Sequence, residues 1–554
     1  MMRARNTQDR IPPRRVRRMA GAVALALLLA AGGASAVGEG EYGLPDIGSS
    51  AAVALSPAEQ AEYGAETLRE LRHYGLVMED PLLQDWISGV GYRVVAAGER
   101  PEQTFTFFLL NIRDVNAWAT LGGYIAMNAG LVLEADTEDE VAAVLSHEVA
   151  HVTQQHILRS VEKAKKDALP IALGMLGAIV AAQSAGDNGD ATQAALVSGL
   201  ALIQQRRINY TRTSEQEADR VGIRTLARAG FDPMAMADFF QTMQRLTRGE
   251  GASVPEYLRT HPLTTSRISE AKDRARGIIA EGVAGNARIV PAGLSNPLLP
   301  QRWKVPAGKQ PATTTQGEAR LPFLMARERL RVLSADSPVI ALNFYPEFDR
   351  HDPELAAAQQ YGRALAETNA GKTGAAIKRL QALASAHPDQ YWMELALASA
   401  ERRDGQVAIA EARYDRLLRN RPQNRAVILS YAQALIERGD QEAGERAVEV
   451  LRPLIDRGGD DLALQRSFAR ASELAGDSIR AGEAHAEAAF LSGRPQDALN
   501  QLERLKKQPL DYYQRARIDA RIAAMTPTVL ESRRRGLKPG EEDRNRVSFG
   551  LHVE

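Results

Sequence analysis

The sequence predicts a mainly α-helical chain, with a mixed α+β unit in its N-terminal half and an α-helical solenoid in its C-terminal half. Three observations predict it. Phe105 to Asn111 and Gly122 to Met127 are short aromatic and aliphatic runs of strand type, set among long stretches of helical periodicity. Six prolines lie between Ala284 and Pro322, which separates the halves. Beyond Leu355, Gly371, Gly405 and Gly439 recur 34 residues apart, as do Pro388 and Pro422. A period of 34, with a turn glycine between two helices and a closing proline, is the tetratricopeptide pattern.

At 554 residues the chain exceeds what one ordinary core organises, so several domains are expected. The reading divides it into a leader at 1–36, the α+β unit at 37–285, a proline-rich linker at 286–325, helical repeats at 326–530 and a polar tail at 531–554, to which no role is given. The linker is expected to separate two cores, so that the α+β unit would fold without the chain from about residue 340 onward. After Gly439 the repeat register loosens, because Gly476 and Gly493 are off-period.

The leader combines Arg14, Arg15, Arg17 and Arg18, an apolar run from Met19 to Ala31, and the small residues Ala34-Ser35-Ala36. That order is expected of a secretory signal peptide cleaved after Ala36, since the run is shorter than the ~20 apolar residues a span requires. The leader holds seven arginines and one aspartate, so of 69 basic and 69 acidic side chains the remainder keeps 62 and 68, a net of −6. No nucleic-acid partner is expected of such a balance. The absence of cysteine excludes disulfides, a thiol nucleophile and thiolate ligands, so any metal must be held by His and carboxylate.

The chemistry sits on one helix. Thr137 with Glu140 reads as a capping box, and Val141, Val144 and Leu145 follow at helical spacing. Inside that helix lies His147-Glu148-Val149-Ala150-His151. Two histidines four residues apart share a helix face and can share a metal, while Glu148 can take the proton of a metal-bound water. Zinc is the expected ion, one per chain. A second helix contains Glu215, Glu217 and Asp219. Glu215 fits the third ligand, and Asp219, on the same face, fits the acceptor of a ligand histidine's second ring N–H. Glu217 is the rival ligand, and a solvated acidic face is the plain reading of all three. The metzincin extension is absent after His151, and His156 stands out of place for it.

His147 to His151, the Glu215/Asp219 pair, and Thr260-His261-Pro262-Leu263-Thr264-Thr265-Ser266-Arg267, in that order, resemble the membrane-associated gluzincins related to the CAAX prenyl protease. With the leader and the repeats, the chain resembles their periplasmic branch. The resemblance implies an α+β zincin-type metallopeptidase domain, zinc on His147, His151 and Glu215, Glu148 as general base, and His261 in the fourth zinc position in a latent state. It implies an edge strand beside the cleft from Asn116 through Gly122 and Gly123, where an extended substrate would pair. It further implies a periplasmic endopeptidase acting on misfolded or stalled outer-membrane β-barrel proteins, with its repeats engaging the assembly machinery. A latent chaperone and a repeat-based adaptor are the alternatives. The apolar stretches Ala168 to Ala182 and Ala191 to Ile203 suggest a helical hairpin, either packed in the core or forming a flap that lies on a membrane surface or shields the site.

Overall fold

The computed structural model describes residues 55–163, 211–247, 254–282, 320–349, 351–458 and 460–534. The leader, the apolar hairpin and the last twenty residues lie outside them. Among the described residues, no helix is long and apolar enough to cross a membrane.

The chain opens with helices α1 (Pro57–His73) and α2 (Pro81–Ala97). Both start on a proline, where no N–H is needed, behind Ser56 and Asp80 as N-caps. Strands β1 (Thr106–Leu110), β2 (Ala117–Ala119) and β3 (Tyr124–Asn128) form one sheet in the order β1-β3-β2. β1 runs parallel to β3, with Thr106 opposite Tyr124, and β2 runs antiparallel to it, with Ala117 opposite Met127. The expected glycine entry to β3 is present: Gly122 and Gly123 adopt φ of 73° and 79°. A Cβ on Gly122 would meet the Gln60 carbonyl at 2.6 Å, and one on Gly123 the Thr104 carbonyl at 2.2 Å. The pair therefore serves close packing against α1 and the chain before β1.

Helices α3 (Ala129–Glu134) and α4 (Glu138–Thr153) follow. Thr137 caps α4 by accepting from the Glu140 N–H at 3.2 Å. The reciprocal half of the expected box is displaced by one residue, since Glu140 accepts from the Asp136 N–H. α4 is buried from Glu140 to Ala150. α5 covers 156–163 and α6 covers 211–228. α7 (Ala235–Leu246), α8 (Glu256–Thr260) and α9 (Thr265–Ala280) complete the half.

α10 (Arg320–Leu333) starts inside the stretch assigned to the linker, six residues before the boundary at 326. Pro322 is compatible with it because it stands in the first turn, where the ring clashes with no earlier carbonyl of the helix. α11 (Pro338–Asn343) leads into the repeats: α12 (Pro353–Asn369), α13 (Thr373–Ala386), α14 (Tyr391–Arg403), α15 (Val407–Asn420), α16 (Arg425–Arg438), α17 (Gln441–Ile455), α18 (Leu462–Leu474), α19 (Ser478–Leu491) and α20 (Pro495–Leu505). α21 (Tyr512–Arg534) closes the series four residues beyond the expected end at 530. Each helix from α12 onward packs on the next.

The period is physical. Ala364, Ala398 and Ala432, 34 apart, are all fully buried, because only a small side chain lets the paired helices approach there. Gly371, Gly405, Gly439, Gly476 and Gly493 all take φ between 74° and 85° at helix ends. The off-period Gly476 does the same work as the others; the chain before it is lengthened by the turn around Gly458 that joins α17 to α18.

The expectation of two separate cores is not met. One continuous cluster of buried apolar residues runs from Met78, through α4 and α10, to Ala471 in α18. Polar contacts also cross the junction. Arg329 on α10 forks onto the Asp80 carboxylate at 2.6 and 2.8 Å, and Arg425 on α16 bridges Asp461 and Asp85. α2 presents Trp86 to Phe323 of α10. A face shared between distant elements has no periodic signature, which is why the linker misled.

Candidate metal centre

Four side chains from three places in the sequence meet: His147 and His151 on α4, Glu215 on α6, and His261 at the end of α8. His147, Glu215 and His261 are buried, and His151 is half-buried. Their donor atoms lie within 4.8 Å of one another. His147 Nε2 is 2.9 Å from His151 Nε2, 3.3 Å from His261 Nδ1 and 3.4 Å from Glu215 Oε2. Glu215 lies 3.4 Å from His151 Nε2 and 3.1 Å from His261 Nδ1.

Those separations decide whether a metal fits. A tetrahedral ion with bonds of about 2.0–2.1 Å sets its ligand atoms about 3.3 Å apart. The separations from His147 and from Glu215, 2.9 to 3.4 Å, bracket that value. Nitrogen and carboxylate donors also suit a borderline divalent cation.

Gly222 sets the approach of α6 to α4. A Cβ there would stand 3.2 Å from the His147 backbone nitrogen and 3.3 Å from its Cα, tighter than an ordinary contact, so a side chain would require the two helices to part slightly. Behind the cluster, Asp219 Oδ1 lies 3.0 Å from His147 Nδ1. Arg267 on α9 grips Asp219 with two bonds of 2.7 and 2.8 Å and reaches Glu215 at 3.0 Å. Burial works against charge on Asp219, but the bonds from His147 and Arg267 hold its carboxyl below the ordinary range. Glu215 is likewise held down by the surrounding rings against its burial. Arg267 carried no role in the sequence reading. Its signal was an arginine three residues after Thr264, the N-cap of α9, and only burial reveals its purpose.

Glu148 follows His147 on α4 and is buried against the sheet edge, where the nearby Ala119 backbone favours its charged form. Burial raises its proton affinity, opposed by the nearby His261 and His147. Its Oε1 lies 3.4 Å from His261 Nε2. One imidazole thus faces the donor cluster through Nδ1 and Glu148 through Nε2. Tyr257, unremarked in the sequence, stacks on that ring at 4.7 Å between centroids and fixes its plane. Of the residues expected to flank a substrate groove, Asn116 is buried and its carbonyl accepts from Asn128. Gly122 and Gly123 face α1 and Thr104, so β2 itself is the element beside Glu148. Glu217 is turned away from the cluster and pairs with His156 and Arg159.

An HExxH helix completed by a carboxylate from a second helix defines a metalloprotease. Residues 81–275 match the model of peptidase family M48, and the chain belongs to that family. It is 31% identical to the Beta-barrel assembly-enhancing protease of Escherichia coli strain K12 over 86% of this chain and 90% of that protein. It is 41% identical to the Putative beta-barrel assembly-enhancing protease of Vibrio cholerae over 42% of this chain and 47% of that one. Over 29% of the chain and 59% of the relative it is 31% identical to Metalloprotease LoiP of Escherichia coli.

Proposed function

We propose that this protein is a zinc endopeptidase of the bacterial periplasm that degrades misfolded or stalled outer-membrane β-barrel proteins, and that its repeats engage the assembly machinery. The observation that carries the enzymatic part is the four-donor cluster with Glu148 beside it. The names of the long-range relatives support the substrate class. The signal-peptide pattern of the first 36 residues supports the compartment.

In this reading His147, His151 and Glu215 hold one zinc ion. An ion held there would supply Lewis acidity, which would make a coordinated water more acidic and polarise the scissile carbonyl. Glu148 takes the water's proton and later gives it to the leaving amine. An extended substrate adds to the edge strand β2, whose Ala119 backbone lies near Glu148. Asp219 keeps His147 in the tautomer that leaves Nε2 free for metal.

His261 accounts for a latent state. Its ring fills the place a water would take and also touches the base, so water attack requires it to leave. The same contacts favour the second reading, a chaperone or adaptor whose metal site stays mostly blocked. Metal analysis and casein hydrolysis of the wild type, Glu148→Gln and His261→Ala separate the two. Glu148→Gln should keep its zinc and lose about 10²–10⁴-fold in rate, and His261→Ala should hydrolyse faster than wild type. Full activity in Glu148→Gln would end the peptidase reading, and His261→Ala no faster than wild type would end the latch.

A further inference from the structure

We infer that His156 and Glu217 form a positioning chain that holds the metal ligand His151, the counterpart of Asp219 behind His147. The inference rests on the reading of His151 as a ligand. His151 Nδ1 lies 2.9 Å from His156 Nδ1, and His156 Nε2 lies 3.2 Å from Glu217 Oε2. Glu217 also accepts from Arg159 at 3.2 Å, which anchors the far end. The rings of His151 and His156 meet edge to face, 4.8 Å between centroids.

The proton assignment follows from the end points. His151 presents Nε2 to the donor cluster, so with that lone pair given to a metal its proton sits on Nδ1. His156 Nδ1 must then accept, which leaves its proton on Nε2, aimed at a carboxylate that can only accept. Each ring has one tautomer compatible with both neighbours. The result is a directed chain from metal ligand to carboxylate.

Two features of the backbone serve this arrangement. α4 stops at Thr153, and Gln155 takes a φ of 55°, the one positive φ of a non-glycine among the described residues. Such a conformation is strained for a residue other than glycine. The turn it makes returns His156 over His151. On α6, Glu217 stands two residues from both Glu215 and Asp219, roughly 200° round the helix from each, so it cannot reach His151 itself. His156 spans that gap. The three carboxylates of α6 are thereby all accounted for: Glu215 faces the cluster, Asp219 backs His147, and Glu217 backs His151 through His156.

The test is zinc affinity of the full chain by competition with a chromophoric chelator, together with the melting temperature of each metal-free protein. His156→Leu keeps bulk but no hydrogen bond, and Glu217→Ala removes the end of the chain. Both should weaken zinc about 10–100-fold. His156→Gln, whose amide can accept from His151 and donate to Glu217, should retain most of the affinity, and the metal-free Leu and Gln variants should melt together. Wild-type affinity in His156→Leu would overturn the inference, as would equal losses in the Leu and Gln variants. A wild type that binds no zinc would instead overturn the metal reading on which it rests.

Discussion

The metal centre and the helical repeats solve opposite problems with the same kind of element, the α-helix. In the repeats, a buried alanine recurs every 34 residues, and glycines of positive φ turn each helix into the next. Each contact is local and each has copies, so no single one is decisive. In the metal centre, two helices and a loop end place four donors within 4.8 Å, and buried ion pairs hold them there. No contact has a copy. The difference teaches that tolerance to mutation should follow redundancy rather than burial, since Ala398 and His147 are equally inaccessible.

The junction between the two regions is where this contrast is easiest to break. Truncation at residue 319 strips the apolar partners Phe323, Leu324 and Leu330 from the single core. The shortened protein should aggregate or melt far below the full chain, which size-exclusion chromatography and calorimetry would show. A monomeric fragment with the parent melting temperature would restore the picture of two independent cores.

Within the metal centre, Arg267→Met leaves Asp219 and Glu215 buried without their cation. Loss of one partner of such a pair costs about 3–5 kcal/mol, to be read from urea midpoints. A comparable loss from a substitution at one repeat alanine contact would erase the distinction between unique and redundant contacts.

Asp85 sharpens the comparison through pH. Burial pushes its carboxyl up to about 6, against the attraction of Arg425. A carboxyl raised in the folded state adds stability that is complete below its ordinary value of 3.8 and is lost as pH rises through about 6. Asp85→Asn should therefore abolish that part of the pH dependence and leave the protein more stable at pH 7.5, by ~3 kcal/mol at most. A wild-type melting temperature flat between pH 4 and 7, or an unchanged slope in the variant, would contradict this.

The smallest effect belongs to the repeats. Gly405→Ala meets no atom within 4 Å, so it reports only the cost of φ at 85°. That cost is about 1–2 kcal/mol. A larger loss, matching Arg267→Met, would mean the repeat turns are no more replaceable than the site.

By itself the sequence determined what depends on local period and chemistry. It placed β1 and β3, the helix carrying His147 and His151, the 34-residue repeat, and the face shared by Glu215 and Asp219, because a helix turn or a strand pleat is written within a few residues. Residues whose task depends on a distant partner were not legible. Arg267 has no role of its own until Asp219 and Glu215 close around it, and His156 reads as a misplaced histidine until the turn at Gln155 brings it onto His151. The continuity of the core across the proline-rich stretch belongs to the same class, since α2 meets α10 and α16 across more than 200 residues of chain. Such contacts arise from packing between elements, and packing leaves no period in any one of them.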